Sequence, residues 1–114
     1  MNAPAVRQLS ADVCTAAQLD PAAMAWAAQA GFKSVINNRP DFEGGPDQPT
    51  SAAIESAARA AGLAYAFLPV APAVQTPQEV ARFAQLMSDL PKPVLAFCRT
   101  GTRSGKLFRA ASGG

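Results

Sequence analysis

Near its C-terminus the chain reads PKPVLAFCRTGTRSGKLF, residues 91–108. A nearly uncharged apolar run delivers one cysteine, Cys98, into a loop of small polar residues that carries two arginines. A cysteine that only packs needs no such setting, because it can sit in a core as a small apolar side chain. At the start of a loop that leads into a helix, its electrostatic position is different. Successive loop amides can turn inward as a nest, and the helix adds the positive end of its dipole, so negative charge is favoured there. A thiolate is then stabilised relative to the thiol and becomes a nucleophile.

The residues after Cys98 fit that chemistry. Gly101 lets the backbone turn tightly and approach an anion closely. Arg103 offers a forked guanidinium that can hold an oxyanion through two bonds. The Ser104 hydroxyl can donate to the thiolate, Thr100 and Thr102 are small enough to leave the centre of the loop open, and Arg99 adds a second positive charge toward the rim. The bland alternative is a buried strand-end cysteine followed by a capped turn. It is outweighed by the coincidence of cysteine, glycine, arginine and helix start. The chain has no histidine and only one other cysteine, Cys14. A Cys-His dyad within the chain is therefore excluded, and the spacing of the two cysteines fits neither a zinc site nor a C-x-x-C pair. Something other than imidazole must hold the thiolate. Cys14 has no basic company and reads as packing; a resolving role would require the fold to bring it to Cys98.

Elements must position this loop. Asp20 and Pro21 read as an N-cap and first helical residue, with a helix running to Gly31. FKSVI is a short strand that ends in the turn-rich NNRPDFEGGPDQP. Thr50 or Ser51 caps a second helix with Ile54, Ala57, Ala58 and Ala61 on one face, ended by Gly62, and LAYAFLPV is a second strand. Thr76 and Glu79 have the spacing of a capping box around Pro77, followed by Val80, Phe83, Ala84 and Met87 at helical spacing. KPVLAF is apolar at consecutive positions, as in a strand covered on both faces in the middle of a parallel sheet. A last helix is expected from Thr102 to about Ala111, with the terminal SGG too small to pack. AVRQLSADVCT adds one or two edge strands.

Strands alternating with helices predict an α/β fold, a single domain over residues 1–114 with its core at about 5–111 and a mostly parallel sheet flanked by helices. In such a sheet the loops leaving the strands emerge at one carboxyl edge, where ligands bind, so NNRPD, PVAPA and CRTGTR are expected to share a rim. At 114 residues and 49% hydrophobic, the chain has enough material for one core. Ten Lys and Arg against eight Asp and Glu are scattered along the sequence, without the clustering expected for nucleic acid. The first residues show no basic segment followed by an apolar one, and no apolar run reaches membrane-spanning length. A cytoplasmic protein without a membrane partner is the resulting expectation; oligomeric state is left open.

The pattern Cys98-x-x-Gly101-x-Arg103-Ser104 resembles the active-site loops of rhodanese-type sulfurtransferases and of cysteine-dependent tyrosine and dual-specificity phosphatases. With AGFKSVINNRPD, AAGLAYAFLPV and PVLAFCRTGTRS in that order, roughly residues 5–110 resemble the phosphatase-like domain found alone or at the N-terminus of beta-lactamase hydrolase-like proteins. The resemblance implies a dual-specificity-phosphatase-like fold with a shortened loop. Four residues separate Cys98 from Arg103, where those phosphatases have five. That is the rhodanese length, and it implies a sulfurtransferase: Cys98 takes a sulfane sulfur from thiosulfate or a glutathione persulfide, and the Cys98 persulfide passes it to a thiophile, without a cofactor. The shorter ring is expected to suit one sulfur atom better than a tetrahedral phosphoryl group. A persulfide dioxygenase or a beta-lactamase-like hydrolase is the implied protein partner.

Those phosphatases also supply an aspartate acid from a loop before the cysteine, yet residues 64–75 contain no carboxylate. The nearest candidate is Asp41, which either acts on substrate or caps a turn. Arg39 either binds an anionic group of the substrate or is solvated. The alternative activity is a phosphatase using Cys98, Arg103 and Asp41, and a third reading is a non-catalytic module that only binds an anion or a partner. Relatives continue with more helix after the last one here, so the covering of one sheet face is an open point.

Overall fold

In the computed structural model residues 4–113 are described, so the outermost ends of the expected domain, residues 1–3 and 114, lie outside the described residues. Five strands form one sheet: β1 (Val6–Gln8), β2 (Val13–Ala16), β3 (Ser34–Asn37), β4 (Ala64–Phe67) and β5 (Val94–Phe97). Their order is β1-β2-β5-β3-β4, with only the β1–β2 pair antiparallel. AVRQLSADVCT thus supplies two strands, of which β1 alone is an edge. β5 lies in the middle, paired in parallel with both β2 and β3, and all four of its residues are buried. Its uninterrupted apolar run follows from that place, since water reaches neither face.

Four helices cover the two faces: α1 (Ala23–Gln29), α2 (Ser51–Ala60), α3 (Pro77–Asp89) and α4 (Thr102–Ala111). Side chains alternate along a strand. Val35, Leu95 and Phe97 therefore pack with Met24, Ala27, Ile54 and Ala58 of α1 and α2. Ile36, Val94 and Ala96 pack on the other side with Phe83, Leu86 and Leu107 of α3 and α4. Both faces of the sheet are covered by this chain's own helices.

The capping signals work largely as read. Thr76 and Glu79 form the full capping box of α3, and the Thr50 hydroxyl accepts from the Ala53 amide at the start of α2. α1 begins two residues later than expected, because Asp20 caps the turn that enters it, accepting from Ala23 N–H at 2.9 Å. Gly31 and Gly62 follow their helices with φ of 100° and 84°, torsions that only glycine takes without strain.

Candidate active site

Cys98 is the first residue beyond β5, and its Sγ accepts the Gly101 N–H at 3.0 Å. Gly101 caps α4 with φ 90°, and a Cβ there would lie 3.3 Å from the Ala16 carbonyl oxygen of β2. Glycine is needed twice, for the torsion and for the close approach. Burial pushes the Cys98 thiol up, but the backbone amides of Ser104, Thr100, Arg103 and Gly101 together outweigh it and hold the thiol below its ordinary value. The loop does without histidine because four amides stabilise the thiolate directly.

Arg103 is buried, and its guanidinium is gripped on one side. Nη1 donates to Glu43 Oε2 and to the Val70 carbonyl, and Nη2 donates to Glu43 Oε1, each at 3.0 Å. An arginine has five N–H donors. Nε and one hydrogen of Nη2 are not used by these bonds. Glu43 also accepts from Arg39 Nε at 2.9 Å, and Arg39 Nη1 donates to Gln18 Oε1 at 3.1 Å. The Arg103 hydrogen bond holds the Glu43 carboxyl below its usual value, with Arg39 reinforcing it against burial. Glu43 was not singled out in the sequence. Its spacing of four from Arg39 in RPDFEGG is a faint signal, because that spacing brings charges together on a helix and these residues lie in a loop.

The remaining expected residues take varied places. Ser104 turns its amide toward Cys98 but donates its hydroxyl to Asn38 Oδ1 at 2.8 Å, not to the sulfur. Asn38 Nδ2 in turn donates to the Leu68 carbonyl, so one buried side chain ties β3's end to both neighbouring rim loops. Asp41 Oδ1 accepts the Ser51 N–H at 2.7 Å, the capping role of its two readings, and it lines neither cavity described below. Arg39 is buried and paired rather than solvated. Thr100 and Thr102 are exposed and share a hydroxyl hydrogen bond of 3.1 Å, and Arg99 is exposed beside them. Cys14 is half-buried against the α1/α2 core, with burial raising its thiol, and it pairs with Leu95, three residues before Cys98 on the neighbouring strand.

The three rim loops meet as expected. Arg39, Glu43, Gly44, Pro72, Arg99 and Arg103 line a cavity of about 460 Å³, and Pro72, Arg99, Thr100, Thr102, Arg103 and Lys106 line an adjoining one of about 160 Å³. The basic residues look scattered along the sequence, yet the fold gathers Arg39, Arg99, Arg103 and Lys106 around the Cys98 loop. This arrangement can bind an anion and attack it with a thiolate.

A central-strand cysteine in an amide-lined loop, on a five-stranded α/β sheet, defines a domain of the dual-specificity-phosphatase type. The chain belongs to the phosphatase-like domain family of the beta-lactamase hydrolase-like protein, whose family model matches residues 5–114. It is 45% identical over 78 residues to a beta-lactamase hydrolase-like protein of Agrobacterium fabrum, covering 68% of this chain and 18% of that protein. The chain thus spans less than a fifth of that relative. A solved candidate phosphatase of Neisseria meningitidis is 37% identical, with a TM-score of 0.85, and the match covers 95% of this chain and 78% of that one. The fold extends to the core catalytic domain of the PP-IP phosphatase SIW14 of Saccharomyces cerevisiae, at 11% identity and TM-score 0.71, over 95% and 64% of the two chains.

These likenesses overturn the expectation of a sulfurtransferase and, with it, of a persulfide on Cys98: the family and the solved relatives are phosphatase-like. Loop length counts residues, whereas an anion cradle depends on which groups point inward. The Gly101 amide reaches the Cys98 sulfur despite the shorter loop, the Ser104, Thr100 and Arg103 amides help to lower the thiol, and Arg39 arrives from the loop after β3.

Proposed function

We propose that the domain is a cysteine-dependent phosphatase. The observation that carries this reading is the Cys98 sulfur in an amide-lined loop, accepting the Gly101 N–H at 3.0 Å beside the buried guanidinium of Arg103. The same donors that stabilise the thiolate are placed to bind the oxygens of a phosphoryl group, which gain charge as the transition state forms. Cys98 attacks phosphorus, the P–S bond forms as the ester P–O bond breaks, and the leaving group departs as the oxyanion and takes its proton from water. Water then cleaves the P–S bond, releasing orthophosphate and restoring the thiolate. Arg103, braced by Glu43 and the Val70 carbonyl, offers its free N–H groups to the phosphoryl oxygens.

Neither nearby carboxylate is set up as an acid. Asp41 holds the start of α2, and Glu43 is kept ionised by Arg103 and Arg39. General acid help is worth roughly 10²–10⁴-fold, so alkyl phosphates, which need it, are expected to react about 10²-fold or more slowly than aryl ones. The cytoplasmic setting stays part of this reading, supported by the two free cysteines, Cys14 and Cys98. The beta-lactamase-like hydrolase stays part of this reading as the protein partner, supported by the longer relatives.

The test is phosphate release from p-nitrophenyl phosphate, with mass spectrometry of acid-quenched protein. A phosphorylated peptide containing Cys98, and loss of turnover in Cys98→Ser, is the expected result. Release that persists in Cys98→Ser would sink the assignment.

A further inference from the structure

We infer that the substrate carries a second anionic group, a phosphate close to the scissile one, bound by Arg99 and Lys106. This rests on the phosphatase reading and specifies its substrate class. Arg99 and Lys106 line the 160 Å³ cavity together with Arg103, and both are exposed. Neither side chain makes a hydrogen bond or ion pair among the described residues, and no carboxylate lines that cavity. Glu43 lines the other cavity and is already shared between Arg39 and Arg103.

Charge economy makes this pair informative. A single phosphoryl group has its donors already in the four amides and the free N–H groups of Arg103. Arg99 and Lys106 are two cations beyond that need. Lys106 lies three residues after Arg103 and four after Thr102 on α4, spacings that put side chains on one helix face with Cβ atoms roughly 5–6 Å apart. Arg99 follows Cys98 directly. A second phosphate beside the one in the loop therefore falls between two unpaired cations, with the Thr102 hydroxyl as a further donor. Diphosphates and vicinal bisphosphates set two phosphates side by side; a simple monoester leaves both cations idle.

The test measures binding to Cys98→Ser by calorimetry, with inorganic phosphate and pyrophosphate as probes. Pyrophosphate is expected to bind at least about tenfold more tightly than phosphate, and Arg99→Ala/Lys106→Ala in the same background should cut that ratio to about twofold or less, as expected when charge-assisted contacts are lost. An advantage that survives the double substitution places the second anion elsewhere and overturns the inference. Phosphate binding without any pyrophosphate advantage overturns it too, while leaving the phosphatase reading intact; failure of both probes to bind overturns both.

Discussion

At the scale of single residues, the site depends on two charges held in unusual states. Amides hold the Cys98 thiol below its ordinary value of 9.0, whereas burial raises that of Cys14. Only the thiolate alkylates, so the pH profile of iodoacetamide labelling, followed peptide by peptide, should have its midpoint below 9.0 for Cys98 and above it for Cys14. Identical profiles would mean that the loop amides do not act on the sulfur. Glu43 is the second case. Glu43→Gln removes the charge that braces Arg103, at an expected cost of about 1–2 kcal/mol, less than for a fully buried pair because the carboxylate keeps some contact with water. A carboxyl whose folded value is depressed stabilises the fold fully above its unfolded value, near 4.5, and loses that contribution as pH falls through the folded value. Thermal melts below pH 4.5 should therefore lose less stability in Glu43→Gln than in the unchanged protein.

At the scale of elements, the junction of β3, β5 and α4 sets the geometry of the loop. Asn38→Ala strips the Ser104 hydroxyl of its buried acceptor and the Leu68 carbonyl of its donor, a loss of about 1–3 kcal/mol. Turnover of p-nitrophenyl phosphate should fall with it, because α4 and its amides lose their tie to β3. Thr76→Ala is the contrasting substitution. It breaks the α3 capping box for about 1 kcal/mol, or roughly 4 °C of melting temperature in a domain of this size, and should leave kcat/KM unchanged. Equal kinetic losses in the two variants would show that activity follows global stability rather than the geometry of the loop.

At the scale of the whole molecule, a net charge of only +2 conceals an uneven field. Arg39, Arg99, Arg103 and Lys106 stand around one loop with Glu43 as the acidic residue among them. Such a field draws anions in, and dissolved salt screens it. The KM for p-nitrophenyl phosphate should accordingly rise severalfold between about 0.01 and 1 M sodium chloride, where the Debye length shrinks from roughly 30 to 3 Å. A KM indifferent to salt would confine recognition to the buried groups.

Local patterns were enough to read Cys98, Gly101 and Arg103 as one loop, because cradle, torsion and charge lie within six consecutive residues. The consecutive apolar residues of β5 announced a central strand, and the Thr76–Glu79 spacing announced the cap of α3, since both depend on neighbours along the chain. Glu43, Asn38 and Lys106 were invisible as site residues. Glu43 reaches Arg103 across 60 positions and Asn38 reaches Ser104 across 66, and only the sheet order, which sets β3 beside β5, makes those distances short. The direction of the Arg103 side chain and the inward turn of four amides belong to the same category. They are set by packing against β2 and by the Glu43 carboxylate, so the loop's length alone misled about its chemistry.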